Sequence, residues 1–370
     1  MSIKKPSRIL TFDLMRGYFL VAIILDHLKF FPNGLDIWSA RGDLFVTTAE
    51  GFFLISGIVL GIVRGSKLLD KPFSQVARLL ISRSFQLYIT AICLVLIFTL
   101  IGWAAIDNPG LKTGVIAPTT NFFDVIWQIV TLQYFYGWAD YLRLYALFML
   151  ASPLALWLLR QGQWYVLLIA SFLLWLVFPT NPETPDLAQE LFQPLTWQLI
   201  FFGGMTIGFY WHHITLWWQT LSHRLRSALT YSIIGLAAIT LVLNLLITFA
   251  PDFVASLDHA SDLHYKLYIE FFDKERLPLS RIILFLIWFW ASFALFQRFE
   301  PFIVRLFGWL LLPFGTNSLY VYTIHAFLIF LIHLWLQPGY WTTNLIVSVA
   351  IVLLVRVMIH YKFLMNIIPR

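Results

Sequence analysis

The 370-residue chain is 60% hydrophobic and only 12% charged, with a mean hydropathy of +0.79. A soluble fold of this length cannot hide so much apolar surface, so composition excludes a water-soluble globular protein and points to an integral membrane protein. The single cysteine, Cys93, excludes internal disulfides and paired-cysteine metal sites and reads as a buried spectator thiol. The net charge of +6 is spread over loops, where membrane orientation explains it better than nucleic-acid binding.

The apolar runs are long and continuous, and in lipid only helices or a closed barrel satisfy the backbone. The expected fold class is therefore all-α: a polytopic helical bundle, one domain over 1–370, with about ten transmembrane helices. They fall near 9–31, 44–63, 84–105, 141–159, 163–178, 195–211, 227–249, 281–297, 315–336 and 342–361. Lys4, Lys5 and Arg8 precede a first helix that keeps its charges and lacks a small-residue cleavage site, so no cleavable signal is expected. The second-to-third connection carries Arg64, Lys67, Lys71, Arg78 and Arg83, and the sixth-to-seventh carries Arg224 and Arg226. Glu183, Asp186 and Glu190 lie in a stretch, 161–195, without lysine or arginine. The positive-inside rule then puts both termini in the cytoplasm and runs the first helix from inside to outside. Two outer segments look more than connective: 106–140, rich in aromatics and expected to hold a short interfacial helix, and the polar 250–280.

The first helix, ILTFDLMRGYFLVAIILDH, sets Asp13 and Arg16 into apolar sequence and ends on Asp26-His27. Ionisable residues inside a membrane helix read as site residues. Arg16 and His27 are eleven positions apart, so they share a face about 16 Å apart along the axis. Asp13 falls on that face too. The second helix, TTAEGFFLISGIVLGIV, brings Glu50 to roughly the depth of His27 and carries Gly57-xxx-Gly61, a pattern that lets another helix approach closely. Glu50 can orient and charge-stabilise the His27 imidazole, or form a structural pair with an arginine or histidine.

Asp13-x-x-Arg16-Gly17, His27 eleven residues after Arg16, and Ala49-Glu50-Gly51-Phe52-Phe53-Leu54-Ile55-Ser56-Gly57 together resemble the OpgC family, within the wider acyltransferase-3 group of membrane acyltransferases. PLTWQLIFFGG (194–204) and GTNSLYVYTIH (315–325) are similar to it as well. The threonines before Ala49 and the outer loops depart from the family pattern. The resemblance implies transfer of an acyl group, succinyl or acetyl, from cytoplasmic acyl-CoA to a hydroxyl of an extracytoplasmic glycan, in a bacterial inner membrane. On that reading acyl-CoA is a co-substrate, the bilayer and a glycan are the partners, and no metal or nucleic acid is involved.

His27 would be the general base with Glu50 holding its tautomer, or would itself carry the acyl group in a relay. Arg16 and Asp13 would meet the thioester end of the donor. His325 and Ser318, seven residues apart on nearly one face, suit donor lining or an interhelical hydrogen bond. Gln198 can hold a thioester carbonyl or sugar hydroxyl, and Trp197 can stack on a sugar or belong to the interfacial belt. Arg143 can bind an acyl carboxylate or snorkel. Arg78 and Arg83 can hold CoA phosphates or act only as orientation determinants. His212-His213 lacks carboxylate or cysteine neighbours, so no metal is expected there. The charge stripe predicts a tunnel with its donor mouth beside Arg64–Arg83. The same intramembrane charges also suit a transporter or flippase of a glycan or small anion, although no second half resembles the first, as many transporters require.

Overall fold

The computed structural model describes residues 9–108, 115–177, 186–253 and 258–368. Lys4, Lys5, Arg8 and Glu183, used above for orientation, lie outside them. The helices are α1 (Leu10–Leu28), α2 (Asp36–Ser39), α3 (Thr48–Leu60), α4 (Phe73–Ala104), α5 (Phe122–Val130), α6 (Asp140–Arg160), α7 (Trp164–Leu176), α8 (Asp186–Phe209), α9 (Trp211–Thr220), α10 (His223–Phe253), α11 (Asp258–Leu267), α12 (Leu279–Arg298), α13 (Glu300–Thr316), α14 (Ser318–Trp335) and α15 (Trp341–His360). There is no strand among the described residues.

Each expected span contains a helix, and among the described residues seven helices are long and apolar enough to cross a membrane: α3 continued to Leu68, α4, α6, α10 to Phe249, α12, α14 and α15. The expected ten are not reached on these terms. The 19-residue α1 carries Asp13, Arg16 and Asp26, and α7 is only 13 residues long. The short helix expected within 106–140 is α5, and α11 occupies part of 250–280.

Three readings change. First, α4 starts at Phe73, eleven residues before its expected boundary, so Arg78 and Arg83 belong to a 32-residue helix and not to a loop. Second, Cys93 is exposed; it points out of the bundle from α4, whose apolar sequence continues on its outer face. Third, α13 was not foreseen. Glu300 in its first turn and Pro301 at its start are ordinary N-terminal signals. Its end is set by Asn317, whose φ of −116° and ψ of 37° break the chain away from α14.

The bundle is held at its centre by glycines. Gly57 of α3 and Gly61 at its end face Gly204 and Gly208 of α8, and each of the four lies against the opposite backbone. A Cβ added at Gly57 would sit 2.1 Å from the Phe201 carbonyl oxygen, at Gly61 2.2 Å from that of Met205, at Gly204 2.4 Å from that of Leu54, and at Gly208 2.0 Å from that of Ile58. Small residues in lipid permit such contact because association there depends on dispersion and polar contacts, not on expelling water. A second seam joins α1 to α13, where Gly17 meets the Leu311 backbone and Gly315 meets that of Asp13. Helices outside these seams are less covered: 6% of the most apolar stretch of α10 and 17% of that of α12 are buried, against 67% for α3. Their bare faces are the surface a bilayer would cover.

Gly208→Ala is expected to lower the thermal midpoint of the detergent-purified protein, since overpacking costs about 1–3 kcal/mol. Gly203→Ala, where an added Cβ meets nothing within 4 Å, is expected to be neutral. Equal midpoints for the two variants would contradict the seam.

Candidate functional site

The two ends of the α1 stripe meet the two ends of one stretch of α14. Arg16 donates through Nη2 to the Ser318 hydroxyl at the start of α14. One stretch further along both helices, His27 Nδ1 lies 3.1 Å from His325 Nε2. The parallel pairing explains why a seven-residue interval on α14 matches an eleven-residue interval on α1: long side chains bridge the difference at the arginine end.

The histidine pair has a defined sense. His325 Nδ1 is 3.2 Å from the Val321 carbonyl oxygen, which can only accept, so in the neutral ring Nδ1 carries the hydrogen and Nε2 the lone pair. His27 therefore donates from Nδ1, and its own Nε2 keeps a lone pair. His325 is fully buried while His27 is part-exposed, so the free lone pair lies on the more accessible ring. The Trp138 ring stacks 6.0 Å from His27 and 5.8 Å from His333. Gly137 takes a positive φ of 73° and lies against the Phe98 ring, which places Trp138 there. His333 donates from Nε2 to the Leu28 carbonyl at 3.1 Å, satisfying one of the orphan acceptors at the end of α1.

Glu50 is at the same end of the bundle, but its partner is not His27. Its Oε1 accepts from Arg281 Nε at 2.6 Å and lies 2.5 Å from Nη2, with both side chains inaccessible to solvent. Its Oε2 accepts from the Thr47 hydroxyl at 2.7 Å and from the Thr47 amide at 3.2 Å, closing a capping box at the start of α3. Both oxygens are occupied, and the side chain that faces His27 Nδ1 is His325 in place of Glu50. The pair extends outward, since Arg281 Nη1 donates to the Phe272 carbonyl at 2.6 Å.

Arg143, Trp197 and Gln198 are buried, so neither snorkelling nor a place in the interfacial belt describes them. Arg143 lies 4.4 Å over the Phe135 ring and donates to Gln193 at 3.1 Å; Gln193 in turn donates to Glu275. Burial holds the Glu275 carboxyl above its ordinary value, opposed by Lys274 and Arg143. Trp197 packs 5.2 Å from Phe53. Gln198 spends its amide hydrogens on the carbonyls of Ser171, at 2.7 Å, and Leu195, at 3.0 Å, tying α8 to α7 and not facing the histidines.

At the other end, a cavity of 440 Å³ opens beside Arg64 and Arg83, with Arg16, Ser56, Tyr145 and Ser318 in its wall. A neighbouring space of 320 Å³ is lined by Asp13, Arg16 and Lys67. Its cationic wall and apolar depth suit an anionic head with an extended tail. Arg78, by contrast, is exposed on α4 and is not in either lining. Among the described residues no group of three or more His, Cys, Asp or Glu side chains could hold a metal ion.

Sequence reasoning missed Arg281, Tyr141 and Glu275, and took in Trp138 only as one of the aromatics of 106–140. Arg281 had a readable signal: a basic residue opening an apolar helix straight after the polar 250–280 segment. Thr47-x-x-Glu50 is also a capping-box pattern in its own right. Comparison with protein families gives a match to the family described as OpgC protein over residues 8–366. No curated protein and no solved structure matches the chain.

Removing one partner of the buried pair, Glu50→Ala or Arg281→Ala, is expected to destabilise by about 3–5 kcal/mol, because the other charge is left uncompensated. A paired Glu50→Leu, Arg281→Met variant should recover much of that loss in thermal unfolding. Glu275→Gln should behave oppositely. An acid whose pKa is higher folded than unfolded loses stability as pH rises from its ordinary value through the raised one. The amide should therefore unfold later than wild type above that range and match it below. A lowered midpoint at neutral pH would contradict this.

Proposed function

The chain belongs to the OpgC family, which implies a transferase role in glucan modification, and from that premise we propose that it is a membrane O-acyltransferase. It moves an acyl group from acyl-CoA to a hydroxyl of an extracytoplasmic glycan. The observation that carries this reading is the directed histidine pair: His27 keeps a lone pair on Nε2 because His325, fixed by the Val321 carbonyl, accepts from its Nδ1.

In this mechanism the acceptor hydroxyl gives its proton to His27 Nε2 as its oxygen attacks the thioester carbonyl carbon. The new C–O bond forms, the C–S bond breaks, and the departing CoA thiolate takes the proton back from His27. His325 is a positioning residue that fixes the tautomer. The basic end of the bundle, with Lys67, Arg64 and Arg83 around the cavity, faces the cytoplasm by the positive-inside rule and receives the CoA phosphates. Arg16, further in beside Ser318, meets the polar end of the acyl arm. The CoA head then stays inside while only the arm reaches the histidines, about 16 Å further along α1.

Purified protein given radiolabelled acyl-CoA and a soluble β-glucan should form labelled glucan. His27→Ala is expected to slow that transfer by about 10²–10⁴-fold. His325→Phe, which keeps a ring but offers no acceptor, should lower kcat with little change in KM for acyl-CoA. Wild-type rates in His27→Ala would refute the assignment.

A further inference from the structure

The cavity at the basic end and the histidine pair are separated by an aromatic barrier, and one of its members carries a hydroxyl with no partner. Tyr145 and Met149 of α6 line the cavity. Tyr141 is the next residue on that face, one turn nearer the histidines. On α3, Ser56 and, one turn further in, Phe52 line the cavity. On α14, Ser318 lines it and Tyr322 is one turn on, followed by His325. The rings close on one another across this line: Phe52 to Tyr141 at 5.3 Å, Tyr141 to Tyr322 at 4.8 Å, and Tyr322 to His325 at 4.8 Å. Arg16 lies 5.6 Å over Phe52 from the cavity side. The stretch from the arginine to the imidazole is thus one file of side chains, interrupted where Phe52, Tyr141 and Tyr322 meet.

Tyr141 is 8% exposed, stacked 4.1 Å from Phe53, and its hydroxyl is buried without a hydrogen-bond partner. An unsatisfied buried hydroxyl costs about 1–3 kcal/mol, and phenylalanine would fill the same stacked position without that cost. The hydroxyl is therefore unexplained by packing. It is aligned with the route that a donor arm must follow from the cavity to His27.

We propose that Tyr141 is a catalytic residue that donates its phenolic hydrogen to the thioester carbonyl oxygen as the acyl group arrives, and that Phe52, Tyr141 and Tyr322 form the gate through which the arm passes. This rests on the acyltransferase reading above. When the acceptor oxygen adds to the carbonyl carbon, the carbonyl π pair moves onto its oxygen, and the Tyr141 O–H stabilises that charge. The C–S bond then breaks, the pair returns to the C=O, and the proton held by His27 goes to the thiolate. Tyr141 keeps its own proton throughout. Such a donor is worth most where water is excluded, and the three rings exclude it.

The test is Tyr141→Phe in the full-length purified protein, assayed beside wild type with radiolabelled acetyl-CoA and succinyl-CoA and a soluble β-glucan. Loss of one oxyanion donor should lower kcat about 10²-fold, while KM for acyl-CoA stays within about twofold because the interaction strengthens only in the transition state. The thermal midpoint should be unchanged or higher, since the variant removes an unpaired buried hydroxyl. A wild-type kcat in Tyr141→Phe overturns the proposal and leaves the acyltransferase reading standing. So does a raised KM with kcat unchanged, or a lowered thermal midpoint, which marks a structural role. No transfer by wild type from either thioester overturns both.

Discussion

A carboxylate sealed inside a membrane protein must have a counter-charge, and the Glu50–Arg281 pair is the constraint around which one end of this bundle is assembled. It joins the first turn of α3 to the first turn of α12 across 231 residues of sequence. The same carboxylate caps α3 through Thr47, so helix initiation and charge neutralisation are met by one side chain. Desolvation makes such a pair a poor source of net stability but a strong selector of arrangement. With α3 and α12 fixed there, the segment between α11 and α12 is drawn in as well. Arg281 holds the Phe272 carbonyl, Thr196 donates to that of Glu275, and Trp175 to that of Leu277.

The ionisable side chains of α1 are then distributed along the helix and not around a single pocket. Its two ionisable stations differ in kind. The arginine station is open, cationic and lined by several helices. The histidine station is aromatic, with its proton direction set by one backbone carbonyl. The proposed transfer, between a charged soluble donor on one side and an uncharged polyol on the other, would use this asymmetry.

The sequence was most informative where lipid imposes a penalty. Asp13, Arg16, His27 and Glu50 stood out because charge in an apolar helix is costly, and Gly57-xxx-Gly61 because small residues at that spacing have few other uses. What these residues touch was not legible. Local sequence holds no sign that Gly57 would meet α8, or that His325, 298 residues from His27, would be its partner in place of Glu50. The helix α13 was missed for a different reason: its 17 residues hold Glu300, Pro301, Arg305 and Pro313, and interrupted apolarity reads as a connection. Buried Arg143 was misread because a helix-start arginine usually reaches water, and here Phe135 and Gln193 enclose it.

The glycine seam between α3 and α8 has a mechanical consequence. With carbonyl oxygens of one helix against the Cα positions of the other at four places, no side chains lie between them to change rotamer or slide. The two helices form one stiff plate, and Phe52 is fixed to it. Any widening between the basic cavity and the histidines must be supplied by the opposite wall, where α6 meets α3 and α14 through rings that can rotate about their own bonds. Motion in this molecule is thereby assigned to particular helices by the absence of side chains on others.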